Sequence, residues 1–215
     1  MQVEIIGVTN FLPGEGGSEA LLEHAGRACY RSEPRGRPGK FLQARIREGH
    51  ESIIEHASVT FEISGISRAC SHQLVRHRLA SYSQESQRYV DMSAPEFVVP
   101  PTVADNPTAL AAWDEFMVQV SNTYHRLREL GVRKEDARFV LPNATTTRII
   151  VTMNLRSLRH FFSVRCDKAA QWEIRSLAVE MLRQVYTLAP SVFSDLHDRF
   201  VGSGEQKAAN LTSRS

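Results

Sequence analysis

Asn106-Pro107 and Gly131 bound a stretch whose apolar residues fall three or four apart: Leu110, Trp113, Met117, Val120, Tyr124, Leu127 and Leu130. Asparagine ahead of a first turn accepts the N–H groups that turn leaves unpaired. Proline at the first helical position loses no bond, and glycine readily ends a helix. The spacing predicts one long helix over about 107–130, its stripe serving as core or subunit interface rather than a cofactor box. No fold of strands alone accommodates it.

The remaining segments place strands around that helix. Residues 3–8 read as a short strand, ended by the turn cluster Pro13-Gly14-Glu15-Gly16-Gly17. Ser18 is the expected N-cap of a helix through Leu21, Leu22, Ala25 and Ala28. Residues 31–40 form a mobile Pro/Gly/Arg-rich loop, and residues 41–48 a second helix closed by Gly49. Residues 57–63 alternate, with Val59, Phe61 and Ile63 against Ser58, Thr60 and Glu62, as a half-buried strand does. Residues 67–77 read as a helix delivering Arg76-His77-Arg78 at its C-terminal end. Residues 145–153 are a β-branched strand, 155–164 and 171–188 are helices, and 203–215 a polar, flexible tail. Without repeat or linker, the reading is α+β: a single domain over 1–202 with a central, mainly antiparallel sheet flanked by helices.

Charge narrows the function. With 26 basic and 24 acidic residues, the chain is too nearly balanced for a general polyanion binder. Its cations are instead clustered. The run from Arg76 to Arg88 holds three arginines and one carboxylate, Glu85, and Arg148, Arg156, Arg159 and Arg165 lie in a segment whose first acid is Asp167. Guanidinium stays charged and matches phosphate with paired donors, so this is either a solvated helix face or a site for anions; the Ser/Gln-rich turn that follows favours the site. Cys29, Cys70 and Cys166 form no CxxC pair, which argues against a disulfide framework or thiolate zinc and fits a reducing cytoplasm. Neither a signal peptide nor a membrane-spanning apolar run is expected.

The residues bear on three further chemistries. His50-Glu51 begins like a zinc-protease helix, but Ile54 stands where the second histidine belongs. His50, His56, His72 and His77 remain able to converge, yet no metal is expected. A cysteine nucleophile has no signature here. A dinucleotide cannot enter by the glycine-rich route, since no GxGxxG occurs; arginine and histidine side chains must hold its pyrophosphate. A nucleotide- or nucleic-acid-binding module using the same arginines stays open, although Tyr82 is the only aromatic between residues 68 and 88. So does a chain that binds these ligands without catalysis.

Arg76-His77-Arg78, seven residues and Ser86 resemble the signature of flavin-dependent thymidylate synthases. Flanking blocks are similar to that family in the same order: Gly49-His50-Glu51-Ser52-Ile53-Ile54-Glu55-His56, Gln73, Arg88-Tyr89, Ala137-Arg138-Phe139-Val140-Leu141-Pro142, Asn154-Leu155-Arg156-Ser157-Leu158, Arg165 and Ala170-Gln171-Trp172-Glu173-Ile174. The resemblance spans about residues 18–200. It implies a cytoplasmic homotetramer with active sites shared between subunits. That enzyme makes dTMP from dUMP with methylenetetrahydrofolate as carbon donor and NADPH as reductant through bound FAD, and it needs no cysteine nucleophile. Neither nucleic acid nor membrane is an implied partner.

By the same resemblance, Ser52, Arg76, His77, Arg78, Gln84, Asn154, Arg156 and His160 contact the flavin. Gln73, Arg76, Gln84, Glu85, Ser86, Gln87, Arg88 and Arg165 serve dUMP, with Arg138 reaching in from another subunit. Arg165 is the catalytic residue, placed at the pyrimidine, where a cation stabilises charge developing on the ring oxygens. His77 is expected to stack or hydrogen-bond near the flavin rather than transfer protons, and Ser86 to hold phosphate rather than act as nucleophile. Ser83-Gln84 stands where many relatives carry Asn-Glu, and His160 where others carry asparagine.

Overall fold

The computed structural model describes residues 1–14, 16–33 and 38–202. The tail over 203–215 and the middle of the 31–40 loop lie outside the described residues. Four strands, β1 (Gln2–Val8), β2 (Ser58–Ser67), β3 (Ser81–Gln84) and β4 (Thr146–Asn154), pair in the order β1-β2-β4-β3. The sheet is antiparallel and flanked by helices, so the α+β expectation holds. Alternation explains the central strands: Val59, Phe61 and Ile63 of β2 and Thr147, Ile149, Val151 and Met153 of β4 are buried, one residue in two.

The chain forms two compact units, the first of Met1–Gln2, Ile63–Arg76 and Ser83–Ile150, the second of Val3–Glu62, His77–Tyr82 and the chain from Val151. In the first lie α3 (Arg68–Leu74), α4 (Pro101–Ala104), α5 (Pro107–Glu129) and α6 (Lys134–Ala137). The long helix matches its sequence signals: Asn106 Oδ1 accepts from the Thr108 and Ala109 N–H groups at 3.1 and 3.2 Å, and Gly131 adopts φ +84°. Met117, Val120 and Tyr124 are buried, whereas Leu130, read as part of the stripe, is 62% exposed. Met92, Tyr124 and Ala137 make a small core against Leu127, Val132, Val140 and Leu141. The Tyr124 hydroxyl accepts from the Met92 N–H at 3.3 Å, which satisfies a polar atom that burial would otherwise strand.

The second unit holds α1 (Gly17–Tyr30), α2 (Pro38–Arg47), a 3₁₀ turn (Glu51–His56), α7 (Leu155–Arg165), α8 (Trp172–Leu188) and α9 (Pro190–His197). Gly49, at φ +80°, closes α2: its N–H bonds the Ile46 carbonyl and that of His50 bonds the Arg45 carbonyl, the paired bonds of a glycine-terminated helix. Gln171 caps α8 through Oε1, accepting from Glu173 and Ile174. Phe161, Phe162 and Phe193 are fully buried, with ring centroids 5.6 Å apart for the first pair and 5.7 Å for Phe162 on Phe193.

Several boundaries differ from expectation. Ser18 is not the N-cap of α1; Gly16 is, and the buried Ser18 hydroxyl donates to the Thr9 carbonyl at 2.5 Å. The second helix starts at Pro38 rather than Phe41, since proline at a helix start loses no bond. Strand β2 runs four residues beyond Ile63. Helix α3 stops at Leu74: Arg76 N–H bonds the Gln73 carbonyl, three residues back, so the triplet follows the helix instead of riding on its end.

Candidate active site

In the first unit, Ser67 Oγ caps α3 by accepting from Cys70 N–H at 3.0 Å, and Gln73 sits half-buried on that helix. Buried Ser71 donates its hydroxyl proton to the Arg68 carbonyl at 3.0 Å. Its lone pairs then accept from Gln84 Nε2 at 2.9 Å, while Thr147 Oγ1 accepts from the same nitrogen at 3.2 Å. Two hydroxyls thus hold the amide nitrogen of Gln84 and turn its carbonyl oxygen away from them. The folded side chain of Gln84 therefore presents a neutral acceptor.

Residues 84–88 follow as one segment. Glu85 N–H bonds the Arg148 carbonyl at 2.9 Å and Ser86 starts a turn whose carbonyl accepts from Tyr89 and Val90. Ser86 Oγ accepts from Arg88 N–H at 3.3 Å, and Gln87 is buried. Arg88 is exposed and pairs with Glu135, whose own carbonyl accepts from Arg138 Nε at 3.1 Å. Arg68, absent from the sequence-based site, belongs here too. Its guanidinium reaches the Glu85 carbonyl at 3.3 Å, and its pKa is lowered by burial and then by the nearby charge of Arg138. Neighbouring cations that destabilise one another favour an anion. The sequence signal was the arginine directly after a Ser N-cap, which by itself is an ordinary helix start.

In the second unit, Arg165 at the end of α7 donates from Nε to His77 Nε2 at 3.0 Å. A ring nitrogen that accepts from a guanidinium carries no proton, so the His77 proton sits on Nδ1. Its pKa falls to about 4, first through burial and then through the charges of Arg165 and His160. Phe161 meets the ring edge-on at 5.0 Å, and Tyr82 donates to the His77 carbonyl at 2.8 Å. The imidazole is therefore a fixed, neutral acceptor. His160 lies 5.9 Å away, ring to ring, and is exposed.

Asn154 spends its side-chain oxygen on capping α7, accepting from Ser157 N–H at 2.8 Å. Arg156 is tied to carboxylates of the 3₁₀ turn, Glu55 at 2.5 Å and Glu51 at 3.5 Å; Ser52 is exposed on the same turn. Arg76 closes the first unit's helical segment and Arg78 lies in the second; both are exposed, and neither forms an ion pair among the described residues.

His77 gives a pH test. Its folded pKa lies below the ordinary value of 6.5, so above that pH neither state is protonated and the group contributes nothing. As pH falls from 6.5 towards about 4, the unfolded chain takes up a proton that the folded one refuses, and stability declines. Thermal melts of His77→Asn across this window should show a flatter decline than the parent; equal slopes would contradict the buried acceptor.

No helix among the described residues is long and apolar enough to cross a membrane. A family described as thymidylate synthase complementing protein matches residues 12–191. A flavin-dependent thymidylate synthase of Geobacter sulfurreducens is 51% identical over 188 residues, covering 82% of this chain and 81% of that protein. Its namesake from Nitratidesulfovibrio vulgaris is 48% identical, over 74% of this chain and 69% of its own, and that of Mycobacterium marinum 39% identical, over 98% and 95%. With a motif set in family order, the Arg165–His77 pair and this breadth of similarity, the chain belongs to the flavin-dependent thymidylate synthase family.

Proposed function

We propose that this enzyme makes dTMP from dUMP, taking its carbon from methylenetetrahydrofolate and reducing equivalents from NADPH by way of FAD. The observation that carries the reading is the hydrogen bond from Arg165 Nε to His77 Nε2, because it orients a permanent cation through a neutral partner. A guanidinium so held can meet the pyrimidine and stabilise negative charge on its oxygens as carbon 5 becomes nucleophilic. Ser86, Arg88, Arg138 and Arg68 supply donors and charge for the phosphate, with Gln73, Gln84, Glu85 and Gln87 lining the nucleotide. Arg138 serves a neighbouring subunit of a homotetramer.

The residues fit a flavin dinucleotide. Arg76 and Arg78 bring positive charge that forms no ion pair among the described residues, in a chain without a glycine-rich phosphate loop, and Ser52, His77, Asn154, Arg156 and His160 add polar edges. FAD, when bound, carries hydride, and the protein orients it. Cysteine chemistry is not needed: Cys70 and Cys166 are buried, and burial pushes the Cys166 thiol up to about 12, far from a reactive thiolate. The variant Cys29→Ser, Cys70→Ala, Cys166→Ala, once shown to be folded, is expected to retain dTMP formation; its loss would put a thiol back in the reaction. The reading as a whole is tested by chromatography of reactions holding dUMP, methylenetetrahydrofolate and NADPH with and without FAD. dTMP should form with FAD-loaded protein and not with protein stripped of its flavin, and none in either would overturn the reading.

A further inference from the structure

Glu135 touches more arginines than any catalytic role in the family reading needs. Its Oε2 takes Arg88 Nε at 2.6 Å, its Oε1 takes Arg133 Nη2 at 2.5 Å, and its main-chain carbonyl takes Arg138 Nε at 3.1 Å. The next residue back, Lys134, reaches across to the Tyr89 carbonyl at 3.0 Å and to Asp91 at 3.8 Å. Helix α6 thus grips the chain just after Ser86 at Arg88, Tyr89 and Asp91. The helix itself is anchored elsewhere, by Ala137 in the core with Met92 and Tyr124.

We infer that Glu135 is a positioning residue for the nucleotide phosphate: it fixes the Arg88 guanidinium so that the terminal fork, not Nε, faces the ligand. The inference rests on the dUMP reading above. Contact through Nε leaves both Nη groups of Arg88 for two parallel bonds to phosphate oxygens, the geometry in which guanidinium binds anions best. An exposed ion pair adds little to stability, and the Arg88 side chain is 54% exposed, so the contact matters chiefly for orientation. An arginine ordered before the ligand arrives spares the rotamer entropy that binding would otherwise consume, roughly three- to tenfold in affinity for one such side chain.

A carboxylate beside a phosphate site also repels the ligand. Here Arg133 shares the carboxylate at 2.5 Å and offsets its charge, so orientation is expected to outweigh repulsion. The two effects have opposite signs, which makes the inference testable.

The test is steady-state kinetics of the FAD-loaded enzyme with Glu135→Ala and Glu135→Gln, together with binding of dUMP and of deoxyuridine, which lacks the phosphate. Expected are a roughly three- to tenfold higher KM for dUMP in Glu135→Ala with kcat little changed, substantial recovery in Glu135→Gln, whose amide oxygen still accepts from Arg88 Nε, and unaltered deoxyuridine binding. Tighter dUMP binding in Glu135→Ala would show that charge repulsion dominates and overturn the inference, as would equal losses for dUMP and deoxyuridine. Unaltered enzyme that binds no dUMP at all would overturn the parent reading, and the role of Glu135 with it.

Discussion

Arg165→Ala is expected to lower dTMP formation on the order of 10²–10³-fold, the scale seen when one donor to developing negative charge is removed, while FAD stays bound. Of the residues proposed for the flavin, His77 loses its bond from Arg165, whereas Asn154 is held by Ser157 and Arg156 by Glu51 and Glu55. Arg165→Lys should fare nearly as badly, because an ammonium cannot donate to His77 from a stem nitrogen and still present a fork to the ring. A second readout needs no turnover. Without the Arg165 charge the His77 pKa, now about 4, should rise by the part that charge accounts for, remaining below 6.5 because burial is the larger cause. Proton or nitrogen NMR of the imidazole measures this. Full turnover in Arg165→Ala would remove the catalytic role; an unmoved His77 titration would remove the coupling.

The largest stability effect should come from Phe162→Ala. Phe162 is fully buried in α7, tilted on Phe161 and edge-on to Phe193 of α9, so its loss leaves a cavity beneath the helix that carries Arg165. Such truncations cost about 3–5 kcal/mol. For a chain of this size that lowers Tm by roughly 6–20 °C. Leu12→Ala, at a side chain 92% exposed, is the control and should shift Tm little. Differential scanning calorimetry decides both; a Phe162→Ala melt within a degree of the parent would contradict the packing described for α7 and α9.

What the residue pattern disclosed, and what it concealed, has physical causes. Helix α5 was legible because three independent signals agreed: Asn106 as cap, Pro107 at the first position and Gly131 as the stop, where the backbone indeed turns to φ +84°. Strand β2 was read only to Ile63 because Ser64-Gly65 breaks the alternation; Gly65 takes φ +68°, and a Cβ there would meet the Met1 main chain at 3.2 Å. Strand β3, Ser81–Gln84, is short, polar and at the sheet's edge, where no buried face imposes a pattern. Helix α9 passed unread behind Pro190, which begins a helix as readily as it ends one.

The site divides similarly. Arg165 and His77 could be named from motif order, but their contact spans 88 residues of sequence. Asn154 and Arg156 were read as flavin contacts, and the fold adds duties that motifs do not display: capping α7, and pairing with Glu51 and Glu55. Arg68 and Glu135 were missed because each is an unremarkable charge until folding sets it beside other arginines.

The most direct test of the central claim is the absorbance spectrum of the purified protein between 300 and 550 nm, taken anaerobically with NADPH, with and without dUMP. Flavin bands that bleach on NADPH addition, and faster when dUMP is present, are the predicted result and tie cofactor, reductant and nucleotide to one catalytic cycle. A colourless protein that takes up no added FAD would contradict the account and hand the arginines to another anion.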